Sequence, residues 1–234
     1  MSLNKTKIEW PDFIWNPVTG CYGPEGSKEC PNWCPYCYAR KIATRFKGTE
    51  AFPEGFKPTF HPERLLDPYE LKKPSRIFAC SMGDLFGPWI PDNWVREVLF
   101  TIGNVPRHTF IILTKSAPSL LKWKRSFPAN LWLGVSVTEQ KDSERVSYLR
   151  MVDQNVKLIS FEPLLGPVDV NLKGIDWIII GAQTCPTRIP EKEWVQPLIG
   201  QARRLNIPVS LKNNLRWPEK IREFPGRYIA PENE

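Results

Sequence analysis

Residues 29–40 read ECPNWCPYCYAR, a segment in which Cys30, Cys34 and Cys37 follow the spacing Cys-x3-Cys-x2-Cys. A fourth cysteine, Cys21, lies a few residues upstream. Secreted disulfide domains are usually short and spread their cysteines along the chain, whereas a local cluster in a chain of 234 residues is typical of metal binding or redox chemistry. The segment therefore predicts a metal or redox site on one loop.

Short apolar runs alternate with helix-like segments on both sides of this loop. An extended stretch, residues 16–21, precedes it and a helix, residues 38–46, follows it. The further predicted strands are residues 76–82, 109–114, 131–137, 156–161, 176–181 and 207–211, and the further predicted helices are residues 92–102, 118–126, 139–152 and 192–205. Several strands are continuously apolar, which is typical of parallel strands covered on both faces. A doubly wound α/β sheet and a partial or full β/α barrel both satisfy this pattern.

The chain is long and apolar enough for a single core. With 41% hydrophobic residues, residues 1–234 are predicted to form one domain. Residues 49–74, which contain several prolines and scattered charge, are predicted to be an insertion over the mouth of the barrel. Residues 217–234 are predicted to be a C-terminal extension.

Charge and hydropathy restrict the partners. The net charge of +7 is compatible with an anionic partner but does not identify one. The apolar runs are far shorter than the roughly 18 residues of a membrane-spanning helix, and residues 1–7 lack the apolar region of a signal peptide. We therefore expect a soluble, cytoplasmic protein with no membrane partner.

The cysteine spacing allows two kinds of metal site. Three thiolates on one loop can each bind one iron of a [4Fe-4S] cube and leave the fourth iron without a protein ligand. A closed zinc site needs a fourth ligand, which Cys21 can provide. A zinc-stabilised nucleic-acid-binding module using Cys21, Cys30, Cys34 and Cys37 is therefore the alternative to cluster chemistry.

The motif resembles the radical S-adenosylmethionine (radical SAM) superfamily, whose members carry Cys-x3-Cys-x2-Cys on the loop after the first barrel strand. Several segments between about residues 6 and 212 also resemble a phage-associated radical SAM family of largely unknown function: WNPVTGC (15–21), CPYCYAR (34–40), LTK (113–115), LGVSV (133–137) and SFEPLLGP (160–167). The resemblance implies a single-domain partial (β/α)6-type TIM barrel with parallel strands and a Cys-rich loop after the first strand. It also implies a [4Fe-4S] cluster and S-adenosylmethionine (SAM) as cofactors.

The resemblance leaves the third cluster ligand open. Superfamily spacing favours Cys30, whereas the phage-associated family uses the cysteine after Trp-Asn-Pro-x-x-Gly, which is Cys21 here. Cys34 and Cys37 are ligands under either alignment. The implied SAM-binding residues are Tyr36 beside the adenine, Ser81, Met82, Gly83 and Asp84 near the methionine amino group, Lys115 at the methionine carboxylate and Ser136 at a ribose hydroxyl. The segment 81–84 departs from the usual Gly-Gly-Glu.

Two further residues are candidates for catalysis. Glu162 follows an apolar run and precedes Pro163, and a carboxylate at such a strand end is costly unless it is paired. Lys115, Arg145 or a substrate are the compensating groups that the sequence offers. Cys185 is either a hydrogen-atom donor to a substrate radical or a small buried hydrophobe.

Basic residues gather in residues 38–47, 115–125 and 203–222, and Trp123 and Trp217 lie among the last two groups. Basic residues interleaved with aromatic residues suit a nucleic-acid backbone with stacked or flipped bases, although solvated helix faces look alike. Nucleic acid, with DNA favoured, is the predicted substrate, and a lyase of the photoproduct type or another DNA repair or base-modifying reaction is the predicted activity. The resemblance further implies an electron donor such as flavodoxin or ferredoxin.

Overall fold

A computed structural model describes residues 3–154 and 156–226 of the chain and contains twelve strands within them. They are β1 (Asn4–Lys5), β2 (Phe13–Trp15), β3 (Val18–Thr19), β4 (Thr59–Phe60), β5 (Arg76–Ala79), β6 (Thr109–Thr114), β7 (Leu131–Ser136), β8 (Val156–Phe161), β9 (Trp177–Ile180), β10 (Gln183–Thr184), β11 (Thr187–Arg188) and β12 (Val209–Leu211). The α-helices of the described residues are α1 (Tyr38–Arg45), α2 (Asp67–Glu70), α3 (Asp92–Asn104), α4 (Arg145–Arg150) and α5 (Lys192–Arg204).

Eight of these strands form one central sheet in the order β1-β2-β5-β6-β7-β8-β9-β12. All neighbours from β2 to β12 are parallel, and only β1 pairs antiparallel, at the β2 edge. The α/β class and the six later strands are therefore confirmed. The barrel count is not confirmed: seven parallel strands are present instead of six, and the sheet is not closed.

The first strand of the sheet differs from the prediction. β2 ends at Trp15, and the predicted stretch 16–21 instead forms the short β3, which pairs antiparallel with β4. Pro17 explains the break, since proline has no N–H to donate to a sheet ladder. The cysteine segment follows directly, and it leads into α1.

The chain between β2 and β5 returns across the end of the sheet. Gly20 lies where the returning chain at Lys57 passes close to the cysteine segment. A side chain would not fit there, because the φ of Gly20 is +86° and a Cβ would lie 2.2 Å from the carbonyl oxygen of Lys57. The segment 49–74, predicted to be an insertion, contributes β4, α2 and the 3₁₀ turn Pro62–Arg64. The indole of Trp15 holds this segment to the sheet by donating to the carbonyl of Arg64 at 2.8 Å.

The two faces of the sheet carry different cores. One face packs against α3, α4 and α5 through buried apolar residues of every parallel strand. The opposite face carries an aromatic cluster formed by Trp10, Phe78, Trp132 and Trp177 with neighbouring aliphatic side chains. Side chains alternate between the two faces along a strand. The residues that follow this cluster on the same face therefore lie near the carboxyl ends of the strands.

The predicted helices differ in their regularity. The segment 118–126 is a 3₁₀ helix, Ala117–Trp123, and 139–152 divides into the 3₁₀ turn Gln140–Glu144 and α4. Pro118 occupies the first turn of the former, where it has no N–H to donate to a helix ladder. The part of the predicted C-terminal extension beyond residue 226 lies outside the described residues. None of the helices in 3–154 and 156–226 has the length and apolar character that crossing a bilayer requires.

Candidate functional site

A cavity of about 390 Å³ opens at the carboxyl ends of the parallel strands. Its floor is the upper edge of the aromatic cluster, with Trp10 and Phe78, and its rim is polar. Side chains that continue the alternation of the strands form this rim: Lys115 after β6, Ser136 in β7, Ser160 and Glu162 at the end of β8, and Lys212 after β12. The cysteine segment and the residues after β5 close the remaining side.

Three of the four clustered cysteines line this cavity. Cys21, Cys34 and Cys37 are half-buried and face it, whereas Cys30 is exposed and is not among its lining residues. Cys30 lies in a turn, and its own N–H donates to the hydroxyl of Ser27 at 3.0 Å. In the part of the chain that the structure describes, no three cysteine, histidine or acidic side chains stand in an arrangement ready to hold a metal ion. The cysteines thus share one cavity without being assembled into a closed site.

The surroundings of the thiols are those of metal-binding cysteines in one respect. Backbone N–H groups point at two of the sulfur atoms: Gly23 N–H at Cys21 Sγ (3.1 Å) and Arg40 N–H at Cys37 Sγ (3.3 Å). Burial raises the pKa of the Cys21 thiol, and the negative charge of Asp84 raises it further. Burial also raises the pKa of the Cys37 thiol. The N–H donors are suited to stabilise sulfur that carries negative charge.

Asp84, predicted to contact the methionine amino group, has both carboxylate oxygens engaged by protein groups. Oδ1 accepts from the hydroxyl of Thr114 at 2.6 Å and from the N–H of Phe86 at 3.1 Å. Oδ2 accepts from the N–H of Lys115 at 3.0 Å and from the hydroxyl of Ser116 at 3.3 Å. Asp84 therefore ties the loop after β5 to the end of β6.

The loop Ser81–Gly83 is held against the start of the cysteine segment. Asn16 Oδ1 accepts from the N–H of Met82 at 2.9 Å and from the hydroxyl of Ser81 at 3.2 Å. Gly20 N–H donates to the carbonyl of Met82 at 2.9 Å, and Gly20 pairs with Gly83 in an isolated parallel bridge. These bonds extend the β2-β5 pairing beyond the strands and fix this loop beside the cysteines.

Lys115 and Tyr36 form one pair at the cavity wall. The ammonium of Lys115 lies 5.6 Å from the centre of the Tyr36 ring, and the Tyr36 hydroxyl donates to Thr138 Oγ1 at 3.3 Å. Burial lowers the pKa of Lys115, whereas interactions with Tyr36, Cys34, Asp84 and Cys37 raise it, and the net shift of that pKa is upward. Lys115 is therefore a cation beside Cys34 and Cys37.

Glu162 has a partner that the sequence did not indicate. Its Oε1 accepts a hydrogen bond from the ammonium of Lys212, and the two side chains are 22% and 13% exposed. The expected compensation by Lys115 or Arg145 is wrong for this structure, because Lys115 faces Tyr36 and Arg145 pairs with Asp142 at 2.7 Å. The two partners are 50 residues apart and meet because β8 and β12 both end at this edge.

Cys185 lies at the tip of the β10-β11 hairpin and outside the cavity lining. It is exposed, so the expectation of a small buried hydrophobe is wrong. The ammonium of Lys41 in α1 donates to the Cys185 carbonyl at 2.8 Å and to its sulfur at 3.5 Å. Gln183 and Thr184 of the same hairpin line the cavity, so the hairpin spans the rim from β9 to α1.

Sequence reasoning missed one pairing and two residues of this site. The position of Lys212 after the last predicted strand places it at the ligand-binding edge, but its pairing with Glu162 needed the sheet order. Tyr38 lines the cavity and donates to the carbonyl of Ser81 at 2.6 Å. Asn16 belongs to the quoted Trp-Asn-Pro motif, yet nothing in the sequence indicates that its amide oxygen receives the Ser81–Gly83 loop.

The fold and the site can now be compared with known proteins. Three solved structures of spore photoproduct lyase share the fold of this chain. The complex with a dinucleoside spore photoproduct has a TM-score of 0.53 at 11% identity, over 86% of this chain and 75% of that one. A cysteine-to-serine variant gives 0.54 at 12%, over 87% and 75%. A doubly substituted variant with bound AdoMet and the dinucleoside photoproduct gives 0.52 at 11%, over 86% and 64%.

At this identity the likenesses concern the fold alone: the chain shares the α/β architecture of spore photoproduct lyase. Residues 5–224 match the family described as "Protein of unknown function (DUF5131)", and the chain belongs to this family. No curated protein matches the chain.

Proposed function

We propose that this protein is a radical SAM enzyme whose [4Fe-4S] cluster is held by Cys21, Cys34 and Cys37. The observation that carries the proposal is that these three thiols line one cavity at the carboxyl edge of the sheet, while Cys30 is exposed outside it. Three thiol donors and an open cavity fit a cube with one free iron, whereas a four-cysteine zinc site requires Cys30 as well. When bound, the reduced cluster supplies the electron that cleaves SAM to methionine and a 5′-deoxyadenosyl radical.

Protein groups near the cysteines have the chemistry to hold the methionine part of SAM. Lys115 is a cation at the cavity wall and suits the carboxylate. Asp84 is fully occupied, so the amino group would bind the backbone of the Ser81–Gly83 loop instead. The carbonyls of Ser81 and Met82 each accept one hydrogen bond and can accept a second. The aromatic ring of Tyr36 suits the adenine, and the hydroxyl of Ser136 suits the ribose.

Glu162 and Lys212 on the cavity wall suit the substrate. Glu162 uses one carboxylate oxygen for Lys212 and leaves Oε2 available as an acceptor, and Lys212 has further N–H donors. The floor below them is apolar and offers water few hydrogen-bond partners, which suits radical chemistry. Nucleic acid is the substrate class that we propose, and the dinucleoside ligand of the structurally similar spore photoproduct lyase supports it.

Cys185 is the proposed hydrogen-atom donor. Transfer of the thiol hydrogen to a substrate carbon radical would form a C–H bond and leave a thiyl radical on sulfur. Its exposed position on the hairpin means that the substrate would have to reach the rim between β9 and α1. Flavodoxin or ferredoxin remains the proposed source of the electron.

The test is anaerobic reconstitution of the wild type and of Cys21→Ala and Cys30→Ala, with iron, sulfide and zinc analysis. We expect about four irons per chain in the wild type and in Cys30→Ala, and loss of the cluster in Cys21→Ala. Formation of 5′-deoxyadenosine from SAM under dithionite should follow the same order. Loss of the cluster in Cys30→Ala but not in Cys21→Ala would overturn the ligand assignment. One tightly bound zinc and no SAM cleavage would overturn the enzyme class.

A further inference from the structure

Helix α1 exposes a stripe of aromatic and aliphatic side chains that begins at Tyr38, whose hydroxyl is anchored to the Ser81 carbonyl. Ala39 and Ala43 pack against Phe56 and Met82, but Tyr38, Ile42 and Phe46 are 43%, 40% and 48% exposed. These three residues are four apart, so they lie along one side of the helix. An exposed, contiguous apolar stripe of this kind usually marks an interaction site.

A basic ridge runs beside this stripe. Lys41 and Arg45 are exposed and four residues apart, and the Arg45 guanidinium lies 5.6 Å from the centre of the Phe46 ring. Arg40 and Lys47 add two further exposed cations, and residues 38–49 contain no acidic residue. Across the ion pairs of residues 3–154 and 156–226, no carboxylate neutralises any of these four cations. The charge of this face therefore complements a polyanion.

The face continues into the cavity. Tyr38 lines the cavity at the first residue of α1, and Lys41 reaches the Cys185 carbonyl at the hairpin tip. Arg188 on the same hairpin is exposed and carries a further positive charge. A polyanionic chain bound along α1 would therefore reach the cavity rim next to Cys185, the proposed hydrogen-atom donor.

We propose that the outer face of α1, formed by Tyr38, Ile42 and Phe46 with Lys41 and Arg45 beside them, binds a single-stranded segment of nucleic acid and leads it to the cavity. The inference rests on the proposed function for the class of the substrate. Unpaired bases can stack on Phe46, because every base has a π-face, and the two cations, about 6 Å apart along the helix, can each meet a phosphate. An acidic protein would satisfy the cations but would not need the aromatic stripe.

The test is fluorescence anisotropy with a short labelled single-stranded DNA and the full chain. Each phosphate contact contributes about 0.7 to the slope of log binding constant against log salt concentration for single-stranded DNA. Lys41→Gln/Arg45→Gln removes two such contacts, so it should lower this slope by about 1.4 and weaken binding about 14-fold at an ionic strength of about 0.15 M. Phe46→Ala should weaken binding at least about fivefold without changing the slope. Arg45→Lys should retain the slope. The matched control is Lys72→Gln/Lys73→Gln. It removes the same amount of charge just before β5, at the amino ends of the parallel strands and away from the cavity.

The outcomes separate this inference from the proposed function. If the wild type cleaves SAM but the α1 variants bind DNA as the charge control does, the inference fails and the enzyme class stands. If the wild type binds DNA through α1 but neither binds iron nor cleaves SAM, the enzyme class fails instead. If the α1 variants keep their DNA affinity and only lose the rate at which reduced flavodoxin drives SAM cleavage, the face serves an acidic protein and the inference is wrong.

Discussion

Replacing Asp84 tests whether its carboxylate is a structural tie or a cofactor ligand. Asp84→Ala removes the acceptor of two backbone N–H groups, those of Phe86 and Lys115, in a site where Asp84 is only 6% exposed. Each buried donor left unsatisfied costs about 1–3 kcal/mol, so the expected loss is about 2–6 kcal/mol. The hydroxyl of Thr114 offers little relief, because it already accepts from the N–H of Ser116 at 2.9 Å.

The assay is urea denaturation of the protein without added cofactor, followed by circular dichroism. Asp84→Asn keeps one carbonyl oxygen and should lose about half as much stability as the alanine variant. Glu97→Ala, which removes an exposed carboxylate from α3, is the control and should change stability by less than about 0.5 kcal/mol. A loss below about 1 kcal/mol in Asp84→Ala would refute the structural role and return this residue to the candidates for binding SAM.

Further variants test the packing, the Glu162–Lys212 ion pair and His61, a buried histidine whose Nε2 lies 2.9 Å from the Thr19 hydroxyl. Gly134→Ala should cost about 1–3 kcal/mol, because a Cβ there would lie 2.6 Å from a leucine side chain of the neighbouring strand. Gly103→Ala in α3, where the nearest atom is 3.8 Å away, should instead stabilise by about 0.4–1 kcal/mol, and equal urea midpoints for the two variants would contradict the packing described. Lys212→Met should lower the free energy of unfolding by about 2 kcal/mol, because it leaves Glu162 without its cation. The loss is smaller than for a fully buried pair, since both side chains are partly exposed. A double-mutant cycle with Glu162→Gln should give a coupling energy above about 0.5 kcal/mol. Burial lowers the pKa of His61, so the folded state binds fewer protons than the unfolded chain and loses stability as the pH falls from about 7 to about 5. The His61→Gln variant should lose less stability than the wild type over this pH range. An equal or steeper loss in the variant would argue against a buried neutral ring.

The sequence predicted the sheet well because its signal is local. Strands 109–114 and 156–161 match the structure at both ends, since the first is an apolar run flanked by two threonines and the second is mostly apolar and is followed by Glu162. The first strand was placed too late, because the apolar and turn-like residues around Pro17 belong to a separate ribbon. Closure of the sheet is not a local property, and the number of strands was correspondingly uncertain.

Side-chain pairing at the site needed the sheet order. Glu162 was singled out because a charged residue at the end of an apolar strand is costly unless it is compensated. The compensating residue lies 50 positions away, after a strand that is two places further along the sheet. No spacing rule connects them, whereas Arg145, which the sequence offered, is engaged by Asp142 three residues before it.

Our proposal of Cys21 over Cys30 as the third cluster ligand rests on position in the fold and not on the spacing motif. Cys30 satisfies Cys-x3-Cys-x2-Cys, but its backbone is bound in a turn with Ser27 that leaves the side chain exposed. Cys21 lies thirteen residues before Cys34, yet Gly20 and the β3 ribbon hold it at the sheet edge, and Cys34 and Cys37 come to the same cavity just before α1. A ligand supplied from the end of a paired segment is positioned before any metal arrives, so the longer spacing costs little. The exposed turn would have to refold to bring Cys30 inward, and that is the reason why the Cys30→Ala variant should keep its cluster.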